Sequence, residues 1–267
     1  MKKLIWGVIL LIGAITQTIV AQEEFSREDV TALIKEHIKG KEELGVFRYN
    51  DARTGKVLEL EFENVRLIRK LHGYGFFADV DFHEKGEPQK IYDLNFWVKP
   101  KDGKLTLMDI RIYKAPKKET DGWVQATRTP IPWWWIPATE HPGEHEEKRG
   151  WEISSTMHEY IVEKKNEGNG VFRLKDDKTN QELELEFVEI HNPVRKLEKT
   201  GEFFACTDFR LKEGKDQFYD LDFWLTEKDG KLEVTQVRIH KEPQEQDGHW
   251  IQMPRYEFEN EKTVEVP

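Results

Sequence analysis

Apolar and polar residues alternate with a period of two along much of this chain. Leu58, Leu60 and Phe62 alternate with Glu59 and Glu61; Ala78, Val80 and Phe82 alternate with Phe77, Asp79 and Asp81. Tyr92, Leu94, Phe96 and Val98 likewise alternate with Asp93, Asn95 and Trp97. This is the pattern of antiparallel strands that bury one face and expose the other. Ahead of them, Val30, Leu33, Ile34 and Ile38 recur at helical spacing behind Ser26, a cap followed by acids.

The whole pattern then returns about 125–127 residues later. "GVFRYNDARTGKVLELEF" (45–62) comes back as "GVFRLKDDKTNQELELEF" (170–187), and "GFFADVDF" (75–82) as "EFFACTDF" (202–209). "YDLNFWV" becomes "YDLDFWL", "KDGKL" recurs unchanged, and the tails "DGWVQATR" and "DGHWIQMPR" correspond. A period this long implies two copies of a domain rather than a solenoid. In the second copy, Thr156 and Glu159 read as a capping box before Tyr160 and Ile161, predicting a shorter helix that stops at "NEGNG".

The last hairpin allows its register to be predicted. The Asp-Gly turn of "KDGK" pairs Lys101 with Lys104 and Val98 with Leu107. The inward positions then change parity, from Leu105 and Leu107 to Ile110 and Ile112, which requires one extra residue near Met108, a β-bulge. Beyond it Phe96 faces Ile110 and Asn95 faces Arg111. In the second copy Asp222 faces Arg238 and Asp220 faces His240.

The expected fold class is therefore α+β: two duplicated domains, each one helix packed on a curved antiparallel meander of about five strands. Domain boundaries fall at 22–128 and 151–267, joined by a Trp/Pro strap and charged linker at 129–150. The outline is similar to cystatin-like folds. "FFACTDF", "YDLDFWL" and "KDGKLEVTQVRIHK" resemble small exported bacterial domains of unknown function, a resemblance that implies no chemistry.

The first residues change the picture of compartment. Lys2 and Lys3, an apolar run from Leu4 to Ile15 and "TIVA" ending at Ala21 have the grammar of a secretory signal peptide occupying 1–21. The expectation is an exported protein, periplasmic or secreted, without stable membrane insertion after cleavage. Its net charge of −10 disfavours nucleic acid and anionic membrane surfaces. A single cysteine, Cys206, provides no internal disulfide. It reads as an inert structural thiol.

Candidate binding residues lie mostly on the outward sheet face. Aspartates are disfavoured in strands, yet Asp79, Asp81 and Asp93 sit mid-strand, as do Asp208, Asp220 and Asp222. Asp81 is expected to face Asp93, with Arg111 and Arg238 compensating across the strands and Arg48 and Arg173 nearby. The pairs Phe77–Trp97 and Phe204–Trp224 on the same face suggest an aromatic-plus-polar platform for a peptide or a sugar. "PIPWWWIP" is read as an extended strap, with Trp133 and Trp135 gripping one domain and Trp134 the other. "HPGEHEEK" reads as solvated linker, since Pro142 and Gly143 oppose a helix. No catalytic, cofactor-binding or metal motif stands out. The expected role is non-catalytic binding of a protein or peptide partner, as an inhibitor or accessory subunit. Carbohydrate binding is the alternative and a hydrolase the third reading.

Overall fold

The computed structural model describes residues 25–71, 75–128 and 145–266. The signal-peptide, Trp133–Trp135 and Pro142–Gly143 expectations lie outside them. Among the described residues the chain is mostly β, built on two large antiparallel sheets with two helices. This overturns the α+β class. The alternation pattern locates strands but stops at the end of each apolar run, whereas the strands continue as long hairpins.

Helix α1 (Arg27–Lys41) opens with a complete capping box between Ser26 and Asp29 and buries Val30, Ile34 and Ile38. Strands β1 (Glu42–Glu43), β2 (Val46–Asp51), β3 (Lys56–Leu71), β4 (Gly75–Glu84), β5 (Glu87–Lys101), β6 (Lys104–Glu119) and β7 (Gly122–Thr127) then form a meander in sequence order. Instead of about five strands, the sheet has seven, because the tail pairs with β6 and a two-residue strand precedes β2.

Helix α2 (His145–Glu167) starts well before Thr156 and is longer than α1, contrary to expectation. Thr156 is a mid-helix residue whose hydroxyl donates to Glu152 O. Beyond α2 come β8 (Phe172–Lys175), β9 (Glu182–Ile190), β10 (Arg195–Lys196), β11 (Phe203–Leu211), β12 (Phe218–Lys228), β13 (Lys231–Gln246) and β14 (His249–Pro254). They build a second meander in which β9 and β10 both pair with β11. A separate hairpin, β15 (Tyr256–Glu259) and β16 (Lys262–Glu265), ends the chain.

The predicted β5–β6 register holds at Lys101↔Lys104, Val98↔Leu107, Phe96↔Ile110 and Asn95↔Arg111, with the shift at Met108. In the second sheet Asp222 faces Arg238, but Asp220 faces Lys241 rather than His240 because a second irregularity follows. Each sheet carries an apolar core on its helix side: Leu60, Val80, Phe82, Leu94 and Phe96 in the first, Leu185, Phe209, Leu221 and Phe223 in the second.

The opposite faces are not solvated as the alternation suggests. Asp79, Asp93, Asn95, Phe77 and Trp97 are buried, and so are Asp220, Asp222, Phe204 and Trp224. In the second half the β15–β16 hairpin covers this face, packing Tyr256 and Phe258 on Leu197, Phe204 and Trp224. Among the described residues no helix is long and apolar enough to cross a membrane.

Candidate functional site at the junction of the two halves

One ion pair recurs at the same place in each half. Asp51 ends β2 and takes Arg128, which follows β7, at 2.7 Å. Asp176 follows β8 and takes Arg255, which follows β14, at 2.7 and 2.8 Å. Each aspartate also accepts backbone N–H groups of its own turn: Arg53 on Asp51, Lys178 on Asp176. The carboxylate thus shapes the turn and ties the last long hairpin to it.

In the first half that turn (51–55) faces the second half. Arg53 reaches Glu189 at 2.6 Å, Asn50 donates to Glu186, and Arg210 donates to Glu186 and, through Nε at 2.9 Å, to Ala52 O. Gly55, with φ +66, has space only for a hydrogen there; a Cβ would come within 2.7 Å of the Arg210 guanidinium. On the other side, β6 presents Asp109 to α2. His158 Nε2 lies 3.1 Å from Asp109 Oδ2, and Lys165 Nζ 3.4 Å from Oδ1. Burial pushes the Asp109 carboxyl up, but Lys165, His158 and Arg111 outweigh it and hold it well below the usual carboxylate range. Burial keeps His158 below its ordinary value despite Asp109, so the ring is neutral and donates to the carboxylate.

Between these clamps lies a cleft of about 430 Å³. Its described lining carries five basic side chains, Lys41, Arg53, Arg111, Arg128 and Lys165, against three acids, Asp51, Asp109 and Glu186. Each acid is paired, Asp51 with Arg128, Asp109 with His158 and Lys165, Glu186 with Arg210, and of the five bases Arg53, Arg128 and Lys165 are held in such pairs, Arg53 on Glu189. A net-negative chain therefore encloses a net-positive cleft. Arg111, expected to balance the acid row beside Asn95, instead crosses the junction. It lies 4.5 Å from the Phe187 ring centroid and donates to Val188 O.

The acid row is compensated by residues other than those expected. In the first half Arg66, from the unforeseen extension of β3, contacts Asp93 and lies 3.4 Å from both Asp79 and Asp81. Arg48 and Arg173 pair with glutamates instead. Asp81 does face Asp93. Burial, then the charge of Asp79, raises Asp93 to about 6 against the pull of Arg66. A carboxyl raised in the fold contributes stability fully present below its ordinary value of 3.8 and lost as pH rises through about 6. Asp93→Asn should therefore be about 1 kcal/mol more stable than the parent at pH 8, with the gain gone at pH 4. Urea unfolding at both pH values checks this; parallel pH profiles would contradict it.

In the second half Arg238 faces Asp222 but turns outward over the Tyr256 ring, reaching Thr263 at 3.1 Å and Glu265 at 2.9 Å. Asp222 receives the Tyr256 hydroxyl at 2.6 Å and Asp220 receives Lys241 at 3.1 Å. Tyr256→Phe leaves buried Asp222 Oδ2 without that donor, so a loss of about 1–3 kcal/mol is expected in thermal unfolding.

The aromatic pairs are packed inside the molecule. Phe77 and Trp97 stack 5.2 Å apart, Phe204 and Trp224 lie 5.3 Å apart, and all four rings are at most 6% exposed. They present no open platform to a sugar or peptide. The junction cleft is not legible in the sequence because its contacts join residues 49 to 158 positions apart. The charged "NDARTGK" turn was its one local signal. No family profile, curated protein or solved structure matches the chain.

Proposed function

We propose that this chain is an exported, non-catalytic binding protein that holds an acidic segment of a protein or peptide partner in the cleft between its two duplicated halves. One observation carries the reading: a cleft lined by five basic side chains to three acidic ones, inside an otherwise acidic chain. Partly dry surroundings strengthen the attraction for a carboxylate, and the −10 net charge repels acidic molecules elsewhere on the surface. The cleft volume suits one or two side chains, so the bulk of a partner lies outside it. A binding role fits the chemistry better than a hydrolytic one. Asp109 is held ionised by three cationic or donor groups and so makes a poor proton acceptor, and His158 is fully buried.

Fluorescence anisotropy with labelled peptides tests this. Peptides with two adjacent Asp or Glu residues should bind, their amide counterparts should not, and affinity should fall with added salt. Arg53→Glu and Lys41→Glu should each weaken binding about tenfold or more, the loss of a charge-assisted contact. Equal binding of acidic and amide peptides would refute the reading. Export is tested separately by N-terminal sequencing of the chain from its native host, with Gln22 expected as the first residue.

A further inference from the structure

The second half departs from the first at three positions on the buried polar face, two of them replacing a residue that rarely binds metal with a common metal ligand and the third replacing an aspartate with a cysteine. Asp79 of β4 corresponds to Cys206 of β11, Asn95 of β5 to Asp222 of β12, and Tyr113 of β6 to His240 of β13. Asp93 is matched by an unchanged acid, Asp220. The cation changes as well. Arg66 sits among the acids of the first half, whereas its sequence counterpart His191 lies to the side, with Nε2 3.0 Å from Asp208.

The three replacements and the unchanged Asp220 converge. One ligand atom from each of Cys206, Asp220, Asp222 and His240 lies within 4.8 Å of all the others. His240 Nδ1 is 3.5 Å from Asp222 Oδ1 and 3.7 Å from Asp220 Oδ2. Asp220 and Asp222 are 1% and 0% exposed, yet neither Asp220 Oδ1 nor Asp222 Oδ1 has a hydrogen-bond partner among the described residues. Buried carboxylate oxygens without donors are costly unless a cation takes them. Lys241 and Tyr256 reach only Asp220 Oδ2 and Asp222 Oδ2. These contacts orient both carboxylates, as outer partners of metal ligands do. The His240 ring stacks on Tyr256 at 4.9 Å, which fixes its plane.

We infer that Cys206, Asp220, Asp222 and His240 form a binding site for a tetrahedral divalent transition ion of the zinc type. One sulfur, one imidazole nitrogen and two carboxylate oxygens suit that ion better than calcium or magnesium, which take oxygen ligands alone. Zinc–ligand bonds of roughly 2.0–2.3 Å place the ligand atoms closer together than observed, so side-chain rotations of about 1 Å complete the site. On binding, the Cys206 thiol gives its proton to solvent and the thiolate bonds the ion. The site is independent of the junction cleft.

The test is titration of the full folded chain, stripped with chelator, with Co2+ and then Zn2+. The expected result is one Co2+ per chain with thiolate-to-metal charge-transfer absorption, release of about one proton, and loss of the band when Zn2+ is added. Cys206→Ser should abolish the band and weaken Co2+ binding more than about 100-fold, since outer-shell changes alone cost 10–100-fold. Asp79→Ala, in the first half, should leave the spectrum unchanged. Raised thermal stability of the parent chain with Zn2+, reversed by chelator, decides the matter without any variant. Absence of the charge-transfer band at every Co2+ concentration, or an unchanged band in folded Cys206→Ser, would overturn the assignment.

Discussion

Arg255→Met is expected to cost the second half about 3–5 kcal/mol, the penalty for breaking a buried ion pair from one side. Arg255 is 3% exposed and binds Asp176 through both oxygens, Asp177 at 3.0 Å and Glu242 at 2.7 Å. Asp176 is as deeply buried, and its hydrogen bonds from Arg255 outweigh burial to hold its carboxyl well below the usual range. A depressed carboxyl contributes stability above its ordinary value of 3.8 that is lost as pH falls. The deficit of Arg255→Met should therefore shrink in acid. Asp176→Asn added to Arg255→Met should recover part of the loss, because it removes the stranded charge while keeping an acceptor for the turn. Arg128→Met in the first half should cost less, since Arg128 is more exposed and holds Asp51 through one short contact. Urea unfolding of the parent and the three variants measures all of this.

Asp109→Ala is the second large effect, expected at about 3 kcal/mol and at the level of cooperation between halves. Asp109 is the point where β6 meets α2, and its removal takes a carboxylate from both His158 and Lys165. Arg53–Glu189 and Arg210–Ala52 remain, so the halves should stay together but melt separately. Calorimetry should show one transition in the parent and two in the variant. The junction also weakens with acid. His158 is depressed by burial, so stability present above its ordinary 6.5 is lost as pH falls below it.

Some of this architecture was plain in the residues. The Asp-Gly turn and the parity change fixed the β5–β6 register and placed the bulge at Met108, because side-chain period and turn type leave one solution. Ser26 announced α1 correctly. The mostly-β class is not legible in the sequence, because alternation ends where apolar residues end. Strand β3 continues from Phe62 to Leu71, and that extension carries Arg66 into the acid row. The start of helix α2 is not legible in the sequence, because Thr156 resembles a cap but sits in mid-helix. The segment "YEFENEKTVEV" alternates like a hairpin, yet nothing local says that it folds over Asp222. Cys206 looked inert for the same reason: its neighbours Asp222 and His240 come from two later strands.

Hydrogen–deuterium exchange of the chain with and without an acidic peptide tests the central claim most directly, because it locates the contact as well as detecting it. The account predicts slowed exchange at Asp51, Ala52 and Arg53, at the Met108–Arg111 stretch of β6, and at Val162, Lys165 and Asn166 of α2, all of which line the junction cleft. Protection confined to the edge strands β7 or β14, with the junction unchanged at saturating peptide, would contradict it.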